Sequence, residues 1–186
     1  MKTATIKIQA VRNINYRTDA SYHLSDGQNV QRYIASSPYP LTTIGHVSED
    51  IFIGNRAKRV YVKDIEHGIP FLSSSDILKA NFDSVKLASK KYTPEIERMS
   101  LKKGWTLISR SGTIGNCAFA NAKHAQKLAS EDVIRLIPNN ILRGGLVYAY
   151  LASKYGHSLL TQGTFGAVIQ HIEPAFVGSI AIPMFP

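Results

Sequence analysis

The chain has 186 residues, 44% of them apolar, and carries 22 Lys and Arg against 13 Asp and Glu, for a net charge of +9. This length and composition fit one folded domain with its own core and exclude a disordered chain, and no apolar run approaches the roughly 20 residues of a membrane-crossing helix. The single cysteine, Cys117, excludes an internal disulfide, and with an N-terminus that lacks a signal-peptide apolar block it points to the cytoplasm.

In chain order, residues 2–12 alternate Thr3, Thr5 and Lys7 with Ala4, Ile6 and Ile8, the period of a half-buried strand. Arg12, Arg17 and Asp19 follow and read as a surface loop with an ion pair. Residues 25–40 hold Asp26-Gly27, Ser36-Ser37-Pro38 and Pro40, and these breakers predict connecting structure. Leu41–Val47 and Ile51–Ile53 are short apolar pieces around a turn. Residues 56–63 form a basic strand with Tyr61 between cations, and Gly68–Leu72 a buried strand. Ser73–Asp76 supplies N-caps for a short helix through Leu78 and Lys79. Residues 82–92, with Lys86, Lys90 and Lys91, show no periodicity and read as a loop. Thr93 then caps a helix with Pro94 in its first turn, ending near Lys102-Lys103 with Gly104 as terminator.

Residues 105–109 read as a strand by their aromatic and β-branched content. The strand meets Ser111-Gly112-Thr113-Ile114-Gly115, where two glycines three apart permit a sharp turn. A polar turn of this kind is most often only a turn. This one carries Arg110, Ser111, Thr113 and Asn116, whose side chains suit base edges or phosphate oxygens. Charge adds weight: residues 56–110 hold 12 basic and 6 acidic residues, so most of the positive excess runs into this turn. A charge run is ordinarily a solvated face, yet its concentration beside a polar loop makes nucleic acid the leading partner class. Beyond the turn, Cys117–Ala120 and Asp132–Ile137 read as core strands, and 145–155 as a helix closed by Gly156. Thr161-Gln162-Gly163-Thr164-Phe165-Gly166 is a second glycine turn before an alternating strand at 167–172, and the chain ends in an apolar, proline-bounded segment.

Catalytic and metal motifs are missing. There is no Asn-Pro-Pro or Asp-Pro-Pro core, no Gly-x-Gly cofactor loop after a strand, no phosphate-binding Gly-x-x-x-x-Gly-Lys, and no Gly-x-Ser-x-Gly elbow. No acid is followed two residues later by Lys, and the six histidines lack ligand spacing. The expectation is no catalytic residue, no metal and no cofactor, with Cys117 a buried apolar thiol.

The ordered pieces Gly68-Ile-Pro-Phe-Leu, Ser75-Asp-Ile, Leu101-Lys-Lys-Gly, Leu107-Ile-Ser-Arg-Ser-Gly-Thr-Ile-Gly, Glu131-Asp-Val-Ile-Arg-Leu, Tyr148-Ala-Tyr-Leu-Ala-Ser, Gln162-Gly-Thr and Ile180-Ala-Ile-Pro resemble the target recognition domains of type I restriction–modification specificity subunits. The resemblance spans about Leu41 to Pro186 and is looser before. It implies a mixed α/β (α+β) domain, a twisted mixed sheet with a few short helices, that binds double-stranded DNA and reads half of a split target without catalysis. The implied protein partners are methyltransferase (modification) and restriction subunits, with a second recognition domain or self-association completing the target. Two departures stand out: Trp105-Thr106 replaces the usual acidic-aliphatic pair, and the chain ends at Pro186, where a spacer helix is expected. On this reading Arg110, Ser111, Thr113, Gln162 and Thr164 are base-edge candidates. Lys58, Arg59, Lys63, Lys90, Lys91, Lys102 and Lys103 are phosphate candidates. The rival classes are a nucleic-acid-modifying enzyme with an unrecognised active site and a basic protein-interaction module.

Overall fold

Leu107 and Ile108 are neighbours in sequence and both are fully buried. Successive strand residues face opposite ways, so a core must lie on each side of this strand. The computed structural model, which describes residues 3, 5–12, 14, 16–164 and 170–184, shows how. The elements run α1 (Ile8–Arg12), α2 (Ala20–His23), α3 (Asp26–Ala35), β1 (Leu41–Thr43), β2 (Ser48–Ile53), β3 (Tyr61–Val62), β4 (Gly68–Leu72) and a 3-10 turn at Asp76–Leu78. They continue with β5 (Leu87–Ser89), α4 (Ile96–Met99), β6 (Thr106–Ser109), β7 (Cys117–Phe119), β8 (Leu128–Ala129), β9 (Val133–Pro138), α5 (Gly144–Ala152), α6 (Lys154–Gln162), α7 (Pro174–Ser179) and β10 (Ala181–Pro183).

The central sheet has the order β2-β9-β6-β7, antiparallel throughout. One face packs on the helices: Ile108, Ile134 and Leu136 join Ile34 of α3, Val147 and Leu151 of α5, Leu159 and Leu160 of α6, and Val177 of α7. The other face carries Leu107 and Val133 into a second cluster with Leu72, Ile77, Leu101 and Trp105. This leads to a second sheet, β3-β5-β4-β8, in which β4 and β8 run parallel and the other pairs antiparallel. A two-stranded ribbon of β1 and β10 closes the helical side. The architecture is the mixed α/β fold with short helices that the resemblance implies.

The expected strands at 68–72, 105–109, 117–120 and 132–137 are present with small shifts of boundary. Other expectations are corrected. Within residues 2–12, Ile8–Arg12 is helical, with the Val11 N–H donating to the Lys7 carbonyl; Lys2 and Ala4 lie outside the described residues. Asp26–Ala35 is a ten-residue helix, not connecting structure. Its Gly27 is buried against Gln162, where an added Cβ would sit 2.7 Å from that side chain's Oε1. Residues 82–92 contain β5, and the basic stretch 56–63 contributes only the two residues of β3.

The helix expected from Thr93 begins after Glu95, whose φ of 48° places it in the left-handed region, and it ends at Met99. The helix at 145–155 stops at Ala152. Ser153, accepting the Gly156 N–H, caps a new helix that runs on to Gln162, so Gly156 lies inside a helix rather than closing one. Of the strand expected at 167–172, residues 167–169 lie outside the described residues, and His171 forms a single bridge with Ser111.

Candidate nucleic-acid interface

The register fixes which loops meet. Ser109 pairs with Val133 at one end of the sheet, and β2 reaches the same end at Ile53, which pairs with Ile134. The loops after β2, after β6 and before β9 therefore converge. Their residues Gly54, Arg56, Arg110, Ser111, Glu131 and Asp132, with His171, line a cleft of about 520 Å³.

The β6–β7 loop is held from within. Gly112 and Gly115 have φ of 70° and 79°, as two turn-forming glycines should. The Ser109 and Thr113 hydroxyls are 2.8 Å apart, and the Gly115 N–H donates to the Ser109 carbonyl at 3.0 Å. Neighbouring chain anchors Arg110: its N–H donates to the Asp132 carbonyl at 2.8 Å, and its carbonyl accepts from Ile172 at 3.3 Å. Its guanidinium gives one Nη2 bond of 2.5 Å to Glu173, while its Nε is buried with no hydrogen-bond partner among the described residues. A buried donor without a partner costs about 1–3 kcal/mol, so Arg110 gains where a shift of the side chain gives that N–H an acceptor.

Across the cleft, Glu131 collects two arginines: Arg59 Nη2 lies 2.5 Å from its Oε2, and Arg56 Nε 3.9 Å from its Oε1. Arg59 also stacks over Phe71, 5.1 Å from the ring centre. Burial and the Glu131 carboxylate act on Arg59 in opposite senses, and the carboxylate's pull keeps its pKa above the ordinary value.

Beneath the cleft lies Arg135, fully buried and opposite Leu107 in register. Its Nη1 donates to the Ser130 and Val133 carbonyls at 2.9 and 2.6 Å, and its Nη2 to those of Met99 and Ala129. Burial lowers its pKa to about 10, which leaves it charged at neutral pH. One cation thus ties down the carbonyls flanking Glu131 and Asp132. Gly54 fits against it, since an added Cβ would lie 3.1 Å from the guanidinium.

The structure brings some sequence candidates together and separates others. Arg110 and Ser111 line the cleft, and Lys58 and Arg59 stand beside it in a shallow depression that shares Glu131. Thr113 is exposed, though its hydroxyl is engaged with Ser109. Gln162, at 3% exposure, packs on Gly27 with both amide atoms buried, and it lines a separate cavity with Arg17, Tyr22 and Phe176 rather than this cleft. Thr164 is partly buried, and its carbonyl accepts Arg17 Nη2 at 2.6 Å. Arg17 also pairs with Asp19 at 2.6 Å, the ion pair expected from sequence.

Lys63, Lys90 and Lys91 lie on the second sheet, where Lys90 Nζ donates to the Glu66 carbonyl at 2.7 Å and Lys91 stacks on Tyr92. Lys102 and Lys103 precede β6, whereas Arg110 follows it. At about 3.3 Å per residue the four residues of the intervening strand separate them by roughly 13 Å. Lys102 leans over Trp105 instead. Sequence reasoning missed Arg56, Glu131, Asp132, His171 and Glu173 as parts of this place. The Glu131-Asp-Val run was visible as a motif without a role.

Two groups elsewhere bear on other chemistries. Asp64, Glu66 and His67 offer ligand atoms within 4.8 Å of one another on an exposed turn. Those groups also close the turn itself, since Asp64 accepts from the Glu66 N–H and contacts His67 Nδ1 at 2.9 Å. Burial pushes the Cys117 thiol up to about 12, which leaves it protonated and a poor nucleophile. Among the described residues, no helix is long and apolar enough to cross a membrane.

No family model and no curated protein matches the chain. Solved structures do. The HsdS subunit of Thermoanaerobacter tengcongensis superposes with a TM-score of 0.62 at 18% identity, over 96% of this chain and 43% of that one. A chain from a structure describing complex assembly and conformational transition of the type I R-M system gives 0.60 at 15% identity, over 96% and 44%. The chain thus spans less than half the length of the chains it matches, and over nearly its whole length it has the fold found in type I restriction–modification specificity subunits.

Proposed function

We propose that this chain is a non-catalytic reader of double-stranded DNA, recognising one half of a split target site for a restriction–modification complex. The observation that carries the reading is the fold likeness to HsdS over 96% of the chain. The cleft supports it with chemistry suited to base edges. Arg110 offers donors for guanine, Ser111 a hydroxyl, and Asp132 a carboxylate able to accept from cytosine N4. Lys58, Arg56 and Arg59 flank it as phosphate contacts. Methyltransferase and restriction subunits are the proposed protein partners, with a second recognition unit or a second copy completing the target. In this reading Thr113 and Thr164 contribute shape and loop stability more than direct contacts.

Selection of randomised duplex DNA by the domain at two salt concentrations tests this reading. Recovery of a short fixed motif, retained at the higher salt, is the expected result. Random sequence whose recovery collapses with salt would reduce the site to a basic surface.

A further inference from the structure

Both arginine groups at the cleft are held by carboxylates. Arg110 rests on Glu173 through a single contact of 2.5 Å, and Arg59 rests on Glu131 at 2.5 Å, with Arg56 close behind at 3.9 Å. The two acids come from different parts of the chain, one before β9 and one at the start of α7, yet each meets an arginine of the same sheet end. Ion pairing for stability alone would favour a two-point fork between guanidinium and carboxylate. Arg110 does not adopt one, and its Nε is left buried and unsatisfied among the described residues.

We infer that Glu173 is a specificity-determining residue of this site, an internal competitor that occupies Arg110 until a duplex offers better acceptors, while Glu131 restrains the phosphate contacts of Arg59 and Arg56 on every sequence alike. The inference rests on the DNA-reading proposal and adds to it. A lone phosphate oxygen gives Arg110 little that Glu173 does not already give, so on random sequence the arginine stays on its carboxylate. A guanine edge offers two acceptors, N7 and O6, in the geometry of the guanidinium fork, so there the exchange is favourable. Glu173 thus suppresses the contact of Arg110 to arbitrary phosphates more than its contact to the correct base. Discrimination built in part by penalising the wrong partner is a common route to specificity.

The test compares wild type with Glu173→Gln and Glu131→Gln on two duplexes, one bearing the selected motif and one of random sequence, over a salt series. Glutamine keeps the shape and removes the charge. Each variant is expected to bind random duplex about two- to fivefold more tightly, the range for releasing one partly exposed ion pair. The ratio of motif to random affinity falls for Glu173→Gln and holds for Glu131→Gln, and the dependence of log K on log salt steepens by about 0.9 for each arginine freed to a phosphate. In the Arg110→Ala background the gain from Glu173→Gln disappears, an outcome that a merely structural acid would not give. Unchanged random-duplex affinity and salt slope in both folded variants, with a wild type that selects a motif, overturns this inference alone. A wild type that selects no motif overturns the DNA-reading proposal and this inference with it.

Discussion

The two ends of the central sheet both carry cations and are organised in opposite ways. At the end where β6 finishes, Arg110, Arg56 and Arg59 are paired with Glu173 and Glu131, and a fully buried Arg135 fastens the loop below. Where β6 begins, Lys102 and Lys103 are exposed, and Lys102 leans on Trp105 without an ion pair. Loose lysines on a solvated turn contribute charge that any polyanion can use. Arginines held in fixed positions by partners contribute geometry, which sequence reading requires. Concentrated charge in the sequence is thus not one patch in space. It is divided between an ordered cleft and a diffuse rim.

The largest effect that would break this contrast is expected below the cleft. Arg135→Met removes the guanidinium donor from the carbonyls of Met99, Ala129, Ser130 and Val133, of which that of Ser130 also accepts from the Val133 N–H, and a destabilisation of about 2–4 kcal/mol in urea unfolding is expected, since a buried hydrogen-bond network is broken. Next comes Arg110→Ala, expected to lower discrimination at one base pair by about 1–3 kcal/mol, read from competition binding with single-position variants of the motif. A uniform weakening across all variants would make Arg110 a phosphate anchor instead. Smaller still, Lys102→Ala with Lys103→Ala is expected to leave the motif-to-random ratio unchanged and at most to flatten the salt dependence by about 0.9 for each phosphate no longer neutralised. A change in the ratio would place that end of the sheet at the bases.

The smallest effect concerns pH and lies outside the cleft. His124, enclosed beside Ile77 and Phe82, has its pKa held below the ordinary 6.5, chiefly by burial. As pH falls through that value the unfolded chain takes up the proton first, so stability declines on acidification until the folded-state value is passed. Thermal melting between pH 7.5 and 5 should show a decline that is reduced in His124→Asn.

Much of the fold was legible where one residue's neighbours decide its state. The strand residues Leu107, Ile108 and Val133–Leu136 are apolar on both faces or nearly so, and that pattern marks a strand covered on each side. Helix α3 was not legible, because Asp26-Gly27 is a turn signal locally. The absent side chain at Gly27 admits Gln162, a partner 135 positions away. Gly156 misled for a related reason: it lies against Tyr150 and Leu151 at the junction of two helices, where a side chain does not fit. In the cleft, Arg110 was legible from its glycine loop, whereas Glu131 and Glu173 were not. Their role depends on β9 lying beside β6 and on α7 following the Ser111–His171 bridge, and neither relation is local. Gln162 was chosen as a base reader by residue type, and its burial against Gly27 follows from a long-range contact that sequence does not report.

The most direct test of the account runs the randomised-duplex selection with wild type and Arg110→Ala side by side. The account predicts a short fixed motif from the wild type, and from the variant the same motif with one base-pair position relaxed. Random sequence from both proteins, or an identical motif from both, would contradict the claim that this end of the sheet reads DNA.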